Sequence, residues 1–180
     1  LDSLGVKKKI PLYNFLGTNI DLSNTPYFPH VSFDRFKYLK AEVSFNLKWN
    51  LGQCIKRDKE REEKIYNKYV KQENYVLTHL KASIHVADFD RSIIPKNFQI
   101  IEMNNDGYVL DRLKIIEKAE MIFMTDSVMA NITEQLDIGK NRYFIPRANI
   151  FNTPTFKNEW IWLKNKNIDP KTNLTGINFN

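Results

Sequence analysis

The middle of the chain alternates between short apolar runs and segments with helical periodicity. Four apolar runs have the length and composition of buried strands, and they cover residues 75–80, 98–103, 121–125 and 142–145. Amphipathic helices are predicted where apolar residues recur at helical spacing, in the segments 109–119 and 127–136. Strands that alternate with helices predict βαβ units and a parallel sheet. We therefore expect an α/β fold, a Rossmann-like parallel sheet flanked by helices, with its core at residues 73–147.

The flanking sequence predicts how the rest of the chain is organised. Helical spacing begins at residue 33, and a charged helix at 57–70 carries its acidic residues first and its lysines later, as the helix dipole favours. Prolines punctuate residues 1–32, which we expect to form an irregular N-terminal arm. A length of 180 residues corresponds to one domain, which we place at 33–163, followed by a polar C-terminal tail at 164–180.

The composition narrows the class of protein without choosing a function. Apolar residues make up 42% and charged residues 27% of the chain, which is ordinary for a globular domain and excludes a disordered one. The net charge of +6 permits an anionic partner such as phosphate, nucleic acid or a lipid surface, but it also serves simple solubility. A single cysteine excludes an internal disulfide and fits a reducing, cytoplasmic location. No run approaches the roughly 18 apolar residues of a membrane span.

In an open parallel sheet, ligands bind at the carboxyl ends of the strands. This rule selects four places before any motif is considered: residues 78–81, 102–105, 125–127 and 146–147. The third is the most suggestive, because the strand at 121–125 leads through Asp126 and Ser127 directly into a helix. The first N–H groups of a helix lack internal partners and suit an anion such as a diphosphate. The simpler alternative is that Asp126 or Ser127 only caps the helix.

Metal sites and the common catalytic and phosphate-binding motifs receive less support from the sequence. Asp88 and Asp90, with His85 nearby, have side chains that bind divalent metals, but solvated loop carboxylates are the simpler interpretation. The chain has no Gly-rich phosphate loop, no GxSxG motif and no Cys/His grouping of the zinc type.

Three segments follow one another in an order that is itself informative. The first is the charged segment 57–63, RDKEREE. The second is the block 115–132, in which a helix ending in Ile-Glu-Lys-Ala precedes an apolar strand, the pair Asp126-Ser127 and another helix. The third is FNTPT at 151–155, followed by Trp160. In this order they resemble GT-B-like glycosyltransferases, and most of all a poorly described bacterial and viral group of them. The resemblance spans residues 33–163.

The resemblance implies the C-terminal half of a GT-B fold, which binds a nucleotide-sugar donor. The implied activity transfers the sugar to a glycan or similar acceptor, with no obligatory cofactor and no metal; catalytic residues are not identified. The residues implied to bind the donor and its diphosphate are Thr78, His79, Lys81, Thr125, Asp126, Ser127 and Arg147. Those implied to bind the nucleoside are Glu102, Met103 and Asn104.

Two other functions remain open. In the resembling group an Asp follows the His that ends the first strand, whereas Leu80 follows His79 here. A complete GT-B enzyme has two domains and this chain has room for about one, so we expect either a missing N-terminal domain or a reduced protein. Both features favour a non-catalytic, glycosyltransferase-like module that binds or assembles with a protein partner. Nucleic-acid binding rests on charge alone and lacks a recognisable reading element.

Overall fold

The computed structural model describes residues 33–82, 85–103, 108–147 and 155–167. The α-helices are α1 (Phe33–Lys40), α2 (Lys59–Tyr69), α3 (Leu113–Lys118) and α4 (Val128–Leu136). Short 3₁₀ helices cover Phe45–Cys54, Arg91–Ile93 and Val109–Arg112. The strands are β1 (Tyr75–His79), β2 (Lys81–Ala82), β3 (His85–Val86), β4 (Gln99–Glu102), β5 (Met121–Thr125), β6 (Arg142–Ile145) and β7 (Ile161–Trp162).

Five of these strands form one sheet in the order β4-β1-β5-β6-β7, and every neighbouring pair is parallel. The two short strands β2 and β3 pair antiparallel as a separate hairpin. The expected α/β fold, a Rossmann-like parallel sheet flanked by helices, is therefore confirmed. The sheet grows outward from β1 in one direction to β4 and in the other through β5, so its topological switch point lies between β1 and β5.

One face of the sheet packs against the helices. Tyr75 and Leu77 of β1 and Met124 of β5 are fully buried there, among apolar side chains of α2, α3 and α4. The Tyr75 hydroxyl donates a hydrogen bond to the carbonyl of Ile115, with 2.7 Å between the oxygens. Burial raises the pKa of this phenol, so it remains a neutral donor inside the core.

The other face is covered by the segment that follows the hairpin. Side chains that alternate with the helix-facing ones, such as Val76, Phe123 and Ile145, pack there against Ala87, Phe89 and Ile94. Phe89 stacks on Phe123 with 4.4 Å between ring centroids, and Phe123 stacks on Tyr143 at 4.5 Å. This segment therefore completes the core at the point where a longer crossover helix is common in Rossmann-like folds.

Local contacts and backbone conformation determine where helix α4 starts and ends. Ser127 is its N-cap, and the Ser127 hydroxyl accepts the N–H of Ala130. Its C-cap is Asp137, which adopts the left-handed conformation, with φ of 50°. Gly139 has φ of 85°, and a Cβ there would lie 2.8 Å from Cδ1 of Ile122. Gly139 thus allows the chain to pass closely over β5 before β6 begins.

The last strand was not predicted. Ile161–Trp162 pairs with β6 as the fifth strand of the sheet. The buried carboxylate of Glu134 on α4 fixes the approach to this strand, because it accepts the N–H groups of Lys157, Asn158 and the Trp160 indole. Two residues are too few to show strand periodicity, so this pairing depends on contacts that the local sequence does not show.

No helix among the described residues has both the length and the apolar character needed to cross a membrane.

Candidate functional site

The switch point brings together side chains from β1 and from the turn after β5. His79 is the last residue of β1 and is 1% exposed, and it lies beside Met124 in the register of the two strands. The Nδ1 atom of His79 is 3.3 Å from the Ser127 hydroxyl oxygen. That hydroxyl also accepts the N–H of Ala130, so Ser127 is the N-cap of α4. The same oxygen therefore contacts both the first turn of α4 and the imidazole at the end of β1.

An ion pair at the same edge of the sheet joins Arg147, just after β6, to Asp126 in the turn after β5. The guanidinium of Arg147 donates through Nη2 to Oδ2 of Asp126 at 3.2 Å. Asp126 is buried, whereas the Arg147 side chain keeps about a quarter of its surface exposed. The pair fixes Arg147 next to the residue that precedes the α4 cap, because Asp126 and Ser127 are consecutive.

Two buried polar atoms at this edge have no hydrogen-bond partner in the part of the chain that the structure describes. They are the hydroxyl oxygen of Thr125 and Nε of Arg147. A buried polar group without a partner costs about 1–3 kcal/mol. Thr125 precedes Asp126 in the chain, and Arg147 bonds to the Asp126 carboxylate, so both residues lie next to the residue that leads into α4.

A cleft of 590 Å³ lies beside this site, at the carboxyl ends of β1 and β4. Its walls include Thr78, Lys81 and Met103, together with Val86–Asp88 at the end of the hairpin and just after it. Arg91 and Glu102 also line it and form an ion pair at 2.9 Å. Strand β1 connects the cleft with the start of α4, since Thr78 lines the cleft and the next residue, His79, contacts Ser127.

The residues that the resemblance implies for donor binding thus lie in two groups. His79, Thr125, Asp126, Ser127 and Arg147 gather around the start of α4. The cleft is lined by Thr78, Lys81, Glu102 and Met103. Asn104 lies outside the described residues.

The Asp90 carboxylate, in the loop after β3, has structural partners. Asp90 accepts the N–H of Ser92 at 3.1 Å, and hydrogen bonds from Ser92 lower the Asp90 pKa, with Lys166 adding to the effect. No group of three or more His, Cys, Asp or Glu side chains suited to a metal ion occurs among the described residues. The N–H of Asp88 is bonded to the side chain of Asn165.

Sequence reasoning missed three residues of this edge. Arg91 and Asn167 line the cleft, and Asn165 is buried behind it. Asn165 and Asn167 belong to the predicted polar tail, but hydrogen bonds tie both to the body of the domain. No local pattern marks them, because their partners are 19 and 81 positions away in sequence.

No protein-family model, curated protein or solved structure matches this chain. Inference about its function therefore depends on its fold and on the chemistry of this site.

Proposed function

We propose that this chain binds a nucleotide-sugar through its diphosphate, as the donor-binding unit of a glycosyltransferase that passes the sugar to a glycan or similar acceptor. One observation carries the proposal: two buried polar atoms lack partners among the described residues, one on Thr125, which precedes Asp126, and one on Arg147, which bonds to Asp126. Phosphate oxygens would satisfy such atoms and so recover the free energy that their burial costs.

The electrostatics of the edge support an anion there. The first N–H groups of the nine-residue helix α4 point toward the end of β5, where the helix dipole favours negative charge. Asp126 offsets part of the charge of Arg147, but it engages Nη2 and leaves Nε to another acceptor. A diphosphate that binds Arg147 would thus share the guanidinium with Asp126 and need not displace it.

The cleft supports a nucleoside next to the diphosphate. Its volume of 590 Å³ lies within the range of about 300–1,000 Å³ that small-molecule sites occupy. The lining combines apolar side chains, such as Leu80 and Met103, with the hydroxyl of Thr78 and the carboxylate of Glu102. Apolar walls suit a base, and the polar groups suit ribose hydroxyls. Lys81 adds positive charge at the cleft.

A binding or assembly module that transfers no sugar is the second candidate. Leu80 favours it, because this apolar residue is 8% exposed at the position where the resembling group has a carboxylate. Such a module would keep the fold and lose the donor. The single cysteine fits a cytoplasmic setting for either function.

A thermal-shift screen against UDP, GDP, ADP, CMP and their sugars, with and without Mg²⁺, tests donor binding. We expect one nucleotide to raise the melting temperature, since ligand at about 100 times its Kd stabilises the folded state by about 2.7 kcal/mol. A larger shift with the corresponding nucleotide-sugar would support a sugar contact. If no nucleotide shifts the melting temperature, the donor proposal is wrong and the assembly module is favoured.

Two arginines at opposite ends of β6, Arg142 in the strand and Arg147 just after it, give a matched pair of variants for the same assay. Arg147→Ala should weaken the binding of that nucleotide at least tenfold, or about 1.4 kcal/mol, because a charged hydrogen bond is lost. Arg142 also forms an ion pair, with Asp137 at 2.6 Å, but lies at the opposite end of β6. Arg142→Ala should therefore leave the affinity unchanged. Equal affinities of the two variants would contradict the placement of the diphosphate at Arg147.

A further inference from the structure

Asn165 makes three hydrogen bonds to backbone groups from a buried position. Only 3% of its surface is exposed. Its side-chain nitrogen donates to the carbonyl of Pro146 at 2.9 Å. Its side-chain oxygen accepts the N–H of Asp88 and the N–H of Asn167, both at 3.0 Å. One amide thus joins the chain after β6, the wall of the cleft and the segment after β7.

The segment that carries Asn165 is itself firmly attached. The N–H of Lys166 donates to the carbonyl of Asp88 at 2.8 Å, and the Asn167 side chain donates to the carbonyl of Val86 at 2.9 Å. Residues 165–167 are therefore tied to residues 86–88 by one backbone bond and by the side chains of Asn165 and Asn167. This support fixes the position from which the Asn165 amide reaches Pro146.

The bond to Pro146 acts on Arg147 through the geometry of the peptide group. The carbonyl of Pro146 and the nitrogen of Arg147 belong to one planar unit. The proline ring fixes φ of Pro146 on one side of this unit, and Asn165 holds its carbonyl. Together they set the direction in which the Arg147 side chain leaves the backbone, toward Asp126 and the start of α4.

We propose that Asn165 is a positioning residue for anion binding, which acts by orienting the Pro146–Arg147 peptide and through it the Arg147 guanidinium. The proposal rests on the proposed function, because it needs Arg147 to bind a diphosphate. It adds a residue that touches no ligand, and that neither the motifs nor the strand-end rule selects.

A double-mutant cycle on Asn165 and Arg147, with inorganic diphosphate as the probe and calorimetry as the readout, tests this role. Asn165→Asp keeps the shape and both acceptor contacts but replaces the donor to Pro146 with an oxygen that repels the carbonyl. We expect Asn165→Asp to weaken binding about tenfold in the wild-type background and less than about twofold in the Arg147→Ala background. Thermal midpoints should fall by the same amount in both backgrounds, since the lost bond to Pro146 does not depend on Arg147.

Asn141→Asp provides the matched control. The Asn141 side chain also donates to a backbone carbonyl, that of Glu120 at 2.8 Å, but at the opposite end of β6. Its φ of 40° is one that Asp tolerates. This variant should leave diphosphate affinity unchanged.

The outcomes separate the two proposals. If the wild-type chain does not bind diphosphate, the proposed function fails and the role of Asn165 fails with it. If the wild type binds but Asn165→Asp weakens binding equally in both backgrounds, the effect comes from repulsion or general loosening, and only the positioning role is overturned. If Asn165→Asp does not fold, the same cycle with Asn165→Ala decides, with the same expected loss of effect in the Arg147→Ala background.

Discussion

At the scale of single residues, Ser127 combines two contacts that usually belong to different side chains. Its hydroxyl oxygen accepts the N–H of Ala130, which caps α4, and it lies 3.3 Å from Nδ1 of His79. Substitutions that remove the cap would change both stability and binding. A useful test must therefore keep the cap and change only the charge at this position.

Ser127→Asp and Ser127→Asn meet this requirement, because Asp and Asn are both strong N-cap residues. Ser127→Asp places a carboxylate where we expect the phosphates and should weaken nucleotide binding more than about a hundredfold, since like charges would meet with little water between them. Ser127→Asn should stay within about tenfold of wild type. Titration calorimetry measures both affinities, and thermal unfolding confirms that both variants keep the fold. Similar losses of affinity in the two variants would mean that the charge at this position does not face an anion.

At the scale of elements, ion pairs connect α2 to the segment that contains α3. Arg57 bonds to Glu62 and, at 2.8 Å, to Glu117 of α3. Two further pairs cross the same gap, Arg61 with Asp111 and Lys114 with Glu63. The hydrogen bond from Arg57 is the main cause that lowers the Glu117 pKa below its usual value. These charges orient α2 over the helix-bearing face of the sheet.

The lowered pKa of Glu117 predicts how stability depends on pH. A carboxylate whose pKa is lower in the folded state stabilises the fold fully above its unfolded pKa, about 4.3 for Glu, and loses that contribution as pH falls through the folded value. Glu117→Gln should thus be less stable than wild type near neutral pH, by less than about 1 kcal/mol because the pair is partly exposed. The difference should shrink toward pH 3. Urea unfolding across this pH range measures it.

Glu73→Gln is the control for this prediction, because Glu73 is exposed and forms no ion pair with the described residues. The free energy of unfolding of Glu73→Gln should stay close to that of wild type from pH 7 to pH 3. If the difference in free energy of unfolding between Glu117→Gln and wild type stays constant from pH 7 to pH 3, the contact with Arg57 is not the cause of the lower stability.

The elements differ in how far the sequence could predict them. Strands β1, β4, β5 and β6 were predicted because each is a short apolar run; β1, β5 and β6 are central strands of the parallel sheet, and β4 is its edge. Helices α1 and α2 were predicted from spacing and charge order, and the structure confirms them with bounds a few residues shorter or longer. The 3₁₀ helix at Phe45–Cys54 and the strand β7 were not predicted, because short elements held by distant partners leave no periodic pattern.

At the scale of the whole molecule, parallel pairing gathers the site from distant parts of the sequence. The rule that ligands lie at strand ends selected residues on both sides of the switch point without any knowledge of strand order. The order β4-β1-β5-β6-β7 decides which of those ends are neighbours, and the sequence did not reveal it. The contacts of Asn165 could not be predicted, since its amide bonds to groups of Pro146 and Asp88, 19 and 77 positions away in sequence.

The central claim is that a diphosphate binds at the start of α4 and at Arg147. An amide chemical-shift titration of the ¹⁵N-labelled chain with inorganic diphosphate tests it most directly, because each amide reports its own surroundings. We predict saturable shifts for residues 127–130 and for Arg147, and none for Arg142 or Asn141 at the other end of β6. Shifts confined to other parts of the chain, or no shifts at all, would contradict the account.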